Sequence, residues 1–137
     1  MRSMSDLLSS SQNIATALNG INSTLLGLYY NLPTVPLCEA SLGTSAAILY
    51  TASGQAKSHV NVINICNTTG ASINVYAFVV PAGGTPGTSN AIFYNAQIPA
   101  YTTMLWEGFL IIPANGTLQG YASAAGCTIL ASGGSNI

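Results

Sequence analysis

The side chains able to do chemistry in this 137-residue sequence are few enough to weigh one by one. There is a single histidine, His59, and the carboxylates are Asp6, Glu39 and Glu107. Covalent catalysis needs a nucleophile beside a base, acid–base catalysis a positioned titratable pair, and metal-assisted hydrolysis an open ligand set. With no Asp beyond residue 6, a Ser-His-Asp arrangement would have to take its third member from Glu39 or Glu107. A Cys–His59 pair is open by residue type, but no motif supports it. In SGQAKSHV, His59 follows Lys57 on a turn leading into a strand and reads as a solvated edge residue. Glu39 and Glu107 are distant in sequence, and nothing local brings them together.

The remaining reactive types give no more. Cys38, Cys66 and Cys127 are an odd count at wide spacing, without a CxxC and with one His, so we expect buried free thiols in a reducing cytoplasm and neither disulfides nor zinc. PAGGTPG (81–87) is glycine-rich but lacks the Lys and following helix of a phosphate-cradling loop; it reads as a long hairpin loop. The sequence therefore predicts no catalytic residues, no metal and no cofactor. Sequons at Asn22, Asn67 and Asn115 are chance products of an Asn/Ser/Thr-rich chain in the absence of a secretory signal, which MRSMSDLLSSSQN does not resemble. Most aromatics alternate with aliphatics and read as core or interface. Trp106, next to Glu107 and a turn at Gly108, is the candidate for an exposed, ligand-binding aromatic, with core packing the alternative.

Scarcity of charge decides the partner classes. Charged residues are 4% of the chain, against about 25% in an average soluble domain. Arg2 and Lys57 alone cannot build a phosphate-binding patch, so nucleic acid is not expected as a partner, nor an anionic membrane surface. No run approaches the roughly 18 apolar residues of a membrane span. A surface near zero net charge has little protection against association. We expect much of it to be covered by copies of the same chain or by a larger assembly.

The elements that carry these residues change character near NLPTVPL (31–37). Residues 5–30 read as a helix, capped by Ser5 or Asp6 and ended by Pro33 and Pro36. Leu7, Ser11, Ile14, Leu18, Ile21, Leu25 and Leu28 recur at alternating steps of four and three, a heptad seam with Leu at a and Ile at d. That combination favours three or four strands over two, and the flanking e and g positions carry no charge. Residues 1–33 are thus expected as a helical arm for oligomerisation or anchoring, despite a Gly20 that costs about 1 kcal/mol relative to Ala. The alternative is a helix that packs on its own domain.

Residues 34–137 read as strands and turns. Strands are predicted at 38–42, 46–51, 59–66, 73–80, 91–98, 103–107, 109–112, 117–122 and 127–131, with a tight turn at Glu107-Gly108 and a hairpin at 113–116. Strands of this length and spacing predict a mainly β fold, an antiparallel β-sandwich of jelly-roll type. In 73–80, with Tyr76 and Phe78 on the second face, and again in 60–66, both faces are apolar, so the second face is expected to be covered by a neighbouring subunit or by the N-terminal arm. The loops at 52–58 and 81–90 are expected to point outward.

The segment FLIIPANGTLQGYAS, an apolar strand, then P-x-N-G-T-L, then a strand with Gly-Tyr-Ala, resembles the C-terminal half of small virion proteins of tailed bacteriophages. INICNTTGASINVYAFVVPAG and the helix bearing Asn-Ile-Ala-Thr-Ala-Leu-Asn are similar to the same proteins, so the likeness spans most of the chain as a pattern. The resemblance implies a non-enzymatic virion component, assembled in the host cytoplasm. It would be a decoration or head-fibre protein, and the heptad seam and the second face of 73–80 place the interface of the expected homotrimer at Leu7, Ile14, Leu18, Ile21, Leu25, Leu28, Tyr76 and Phe78. Its other partners would be virion proteins such as the major capsid protein or a tail protein. The alternatives are a tail, collar or baseplate component and, from another class, a host-glycan-binding module centred on Trp106. A hydrolase using His59 ranks last.

Overall fold

The computed structural model describes the backbone of residues 3–30 and 35–135 and the side chains of 3–21 and 35–135. The chain forms two compact units, Met1–Pro33 and Thr34–Ile137. In the first, α1 spans Met4–Tyr30. Its cap is Ser3, not Ser5 or Asp6. The Ser3 hydroxyl accepts from the Asp6 amide at 3.3 Å, and Asp6 Oδ2 accepts from the Ser3 amide at 3.4 Å. This reciprocal box satisfies two of the amides that a helix start leaves without partners. Asp6 acts from inside the first turn, where its charge also favours the helix dipole.

The second unit holds eight strands: β1 Val35–Ser41, β2 Ala47–Thr51, β3 Ser58–Asn67, β4 Ile73–Val80, β5 Ala91–Ile98, β6 Thr103–Ile112, β7 Thr117–Ala122 and β8 Cys127–Ser135. They pair antiparallel into two four-stranded sheets, in the orders β1-β8-β3-β6 and β2-β7-β4-β5. Only β4 and β5 are neighbours both in sequence and in a sheet; every other connection crosses to the opposite sheet. This is the two-sheet, double Greek-key order of a jelly roll. Alternation drives it: β8 buries Cys127, Ile129 and Ala131, and β7 buries Leu118 and Ala122. Ile63, Ile65, Ile98, Ile112, Leu118 and Ile129 are fully buried between the sheets. Each contributes about 1.5–3 kcal/mol relative to exposure.

Two sequence-based turns are corrected. Glu107-Gly108 is no turn: β6 runs unbroken through it and absorbs an extra residue as a bulge, Val60 pairing with Leu110 but Val62 with Glu107. The glycine signals close approach, because the Trp106 ring lies where a Cβ on Gly108 would go. Nor is 113–116 a hairpin. It carries the chain from β6 to β7 in the other sheet, with Asn115 at φ 61° and the Gly116 amide bonded to the Pro113 carbonyl at 2.8 Å. His59 is likewise no solvated edge residue. It lies in β3, between β8 and β6, and is 2% exposed.

At one end of the sandwich a single side chain ties two loops together. Asn67 Nδ2 donates to the carbonyls of Ala71 (2.7 Å), Ile98 (3.1 Å) and Pro99 (3.1 Å). Its Oδ1 accepts from the Thr69 amide and hydroxyl. Fully buried, Asn67 is closed to glycosylation in the folded chain.

Candidate functional site

The outer face of β2-β7-β4-β5 carries an ordered group of aromatic rings. Tyr76 of β4 and Tyr121 of β7 are register partners and stack with centroids 4.4 Å apart and planes 4° apart. Phe78 continues the array, 6.1 Å from Tyr121. On the other side of Tyr76, β5 bulges: Val75 pairs with Ala96 and Ala77 with Phe93, so Tyr94 and Asn95 together face one residue of β4. Asn95 takes up the left-handed backbone at φ 57°, which Asn tolerates better than most residues. The result aims two groups at Tyr76. Tyr94 meets it edge-on at 5.3 Å and 87°, and Asn95 Oδ1 accepts from the Tyr76 hydroxyl at 2.8 Å and from Asn74 Nδ2 at 2.9 Å.

Beside these rings lies an open groove of about 380 Å³, lined by Phe78, Tyr94, Tyr121, Thr44–Ala46 and Pro86–Thr88. Asn90 fixes the 86–88 wall, its Oδ1 accepting from the Gly87 amide at 3.0 Å and its Nδ2 donating to the Thr85 carbonyl at 2.9 Å. No lining residue is charged. Loss of water around Tyr121, with Tyr76 and Tyr94 adding to it, pushes its phenol above the ordinary tyrosine range.

The reactive types named from sequence do not converge. Glu39 and Glu107 lie on β1 and β6, opposite edges of one sheet and three strand spacings apart, or about 14 Å. His59 pairs with Ile111 and Gly134, stacks on Phe109 at 5.2 Å and 19°, and its Nε2 has no partner among the described residues. The cysteines are free thiols. Burial pushes Cys38 up, against a backbone hydrogen bond involving Ala131 that pulls it down; burial and then Cys66 push Cys127 up. Both thiols stay protonated at neutral pH and are poor nucleophiles. Among the described residues no three His, Cys, Asp or Glu side chains group to hold a metal ion. Nor is any helix there long and apolar enough to cross a membrane.

The interface candidates divide. Leu7, Ile14, Leu18 and Ile21 are exposed, and the side chains of Leu25 and Leu28 lie outside the described residues. Tyr76 is half-buried under its neighbours, whereas Phe78 is 2% exposed and already covered within its own subunit. Trp106 is half-buried and packs against the core. A second apolar surface is the outer face of β1-β8-β3-β6, of which the sequence pointed only to the 60–66 strand. There Leu105 and Leu130 flank Asn64 in one row, 56% and 49% exposed, and Phe109 and Ile111 are exposed further along β6. The signal was available as i, i+2 alternation in TMLWE, but which alternate faced out depended on the sheet order.

No protein-family model matches the chain, and neither does any curated protein sequence. Among solved structures it is similar to a chain in the structure of infectious bursal disease virus, Gx strain, at 12% identity and a TM-score of 0.39. The match covers 72% of this chain and 32% of that one, so this chain spans about a third of its length. A likeness at that level carries no argument about function.

Proposed function

We propose that the protein is a non-enzymatic structural component of a virion, a small decoration or head-fibre protein that acts by packing against copies of itself and against a neighbouring virion protein. The observation that carries this reading is the amount of apolar surface left uncovered in an almost uncharged chain. Leu105, Leu130, Phe109 and Ile111 form an exposed patch on one sheet face, and the helix exposes Leu7, Ile14, Leu18 and Ile21. Large apolar side chains exposed together on one face suit an interaction site. With 4% charged residues little opposes association. The jelly-roll order belongs to an architecture used by viral capsid and lectin domains and cupins, which is compatible with the reading and does not select it. The sequence resemblance to small phage virion proteins supports it further, and the Leu-at-a, Ile-at-d seam supports a trimer.

The test is native mass by light scattering on the full chain, on a chain starting at Thr34, and on a Leu18→Asp/Ile21→Asp variant. The seam requires a trimer that becomes monomer in the last two. A trimer that survives both places the assembly energy in the sandwich face. A monomer at every concentration for the full chain refutes self-packing.

A further inference from the structure

We propose that the groove beside Tyr94 and Tyr121 is a binding site for a neutral carbohydrate. Its lining combines aromatic side chains, Tyr94 and Tyr121 with the mostly buried Phe78 behind them, and short polar residues, Thr44, Ser45 and Thr88, beside Pro86 and Gly87. Pyranose rings have the matching duality. Their axial C–H groups form an apolar face that lies on an aromatic ring, and their hydroxyls radiate from the edge toward short donors and acceptors. The volume, about 380 Å³, falls within the roughly 300–1,000 Å³ range of small-molecule sites.

Charge selects within that class. A sialylated or sulfated sugar would lose water from its anion here and meet no cation, since none of the lining residues is charged. The groove is also held ready before any ligand arrives. Tyr76 is a positioning residue: it stacks on Tyr121, takes the edge of Tyr94 and is itself oriented by its hydrogen bond to Asn95. Asn90 fixes the opposite wall. A bulge with a left-handed Asn, spent on orienting one tyrosine, is the kind of local strain that collects at binding sites. Rings already immobilised lose little further freedom when a ligand stacks on them.

The experiment is a glycan array probed with the full chain, followed by saturation-transfer NMR with maltose, lactose and diacetylchitobiose, and with sialyllactose as the charged control. We expect a neutral ligand to bind, and Tyr94→Ala to weaken it about tenfold or more. Tyr94 is 57% exposed, so its removal leaves the fold intact, and Trp106→Ala, on the other sheet, leaves affinity unchanged. Asn95→Ala weakens binding through Tyr76 while sparing the contacts of Tyr94 itself. Four results would overturn the assignment: no neutral glycan bound, binding indifferent to Tyr94→Ala, preference for the sialylated control, or a groove occupied by a second copy, seen as loss of self-association in Tyr94→Ala. Native mass is read separately, so failure here leaves the assembly reading standing.

Discussion

Removal of the Asn67 side chain tests how the ends of the sandwich are held. The Nδ2 group has two protons for three carbonyls, on Ala71, Ile98 and Pro99. Two of the three have other donors: the Thr69 hydroxyl reaches Ala71 O at 3.1 Å, and the Thr102 hydroxyl reaches Pro99 O at 2.8 Å. Asn67→Ala therefore strips the side-chain donor from Ile98 O and the acceptor from the Thr69 amide and leaves a small void. At about 1–3 kcal/mol for each stranded buried group, we expect a loss of about 2–4 kcal/mol. Asn67→Asp is worse at neutral pH, about 3–5 kcal/mol, because a carboxylate then faces three carbonyl oxygens in a buried site. Burial and those oxygens raise the new carboxyl's folded pKa above its unfolded value. The part of stability that depends on the proton is thus present at low pH and lost as pH rises through the carboxylate range. Trp106, the only tryptophan and half-buried against the core, reports urea unfolding of each variant at pH 4 and pH 7. An Asn67→Ala midpoint equal to the parent's refutes the bracing role. An Asp variant no worse than the Ala variant at pH 7 refutes the electrostatic part.

Two further predictions follow from close packing and from the titrating groups. An added Cβ on Gly133 falls on the His59 carbonyl oxygen and comes within 3.0 Å of the Val60 Cα, all of it backbone between two central strands. We expect Gly133→Ala to cost about 3 kcal/mol, with Gly43→Ala, which meets nothing within 4 Å, as the neutral control. Thermal unfolding of the pair checks it, and equal melting temperatures would refute it. The Cys38 and Cys127 thiols and the Tyr121 phenol are all raised in the folded chain. The folded state therefore holds protons that the unfolded state releases, and stability is full below about pH 9 and falls as pH rises beyond it. Urea midpoints from pH 7 to 10.5 measure this; a flat profile, or a rising one, contradicts it.

The β class, the helix and most strand positions were legible because two-residue alternation and turn residues are local properties. What failed was what depends on the partner strand. Glu107-Gly108 looked like a turn because Gly beside a charge usually is one; only the pairing of β6 with β3 shows a bulge with Trp106 folded over the glycine. The 113–116 turn was located correctly, yet its sequence does not say whether the next strand joins the same sheet. His59 next to Lys57 looked solvated, but its exposure is set by β6 and β8 on either side. The aromatic groove was invisible for the same reason. Tyr76, Tyr94 and Tyr121 come together only through the β7-β4-β5 order, and the group that orients them, Asn95, faces Tyr76 through a bulge that no period-two pattern displays.

The bulges also bear on which surface is left for assembly. A jelly roll has four edge strands, here β1, β6, β2 and β5, and an open edge is a template for pairing with another chain. At each edge the extra residues lie on the edge strand and not on its inner neighbour, near Leu37 in β1, Leu49 in β2, Ile92 and Asn95 in β5 and Gly108 in β6, while inner β3 carries one near Asn61 against β8. β1 adds Pro36, which has no amide to donate, and β2 is only five residues long. β6 is the longest edge, at ten residues, and carries Glu107, one of the three acidic residues of the whole chain, beside its bulge. A charge on an open edge disfavours pairing with another chain. That leaves the faces. One bears hydrogen-bonded, pre-oriented tyrosines around a neutral groove, and the other bears unattached aliphatic side chains such as Leu105 and Leu130. Aliphatic surface with no polar partners to satisfy suits burial against a second protein, while oriented rings suit a small ligand. On the two proposals above, the faces of one sandwich would take different occupants, and closed assembly through the β1-β8-β3-β6 face would leave the groove open.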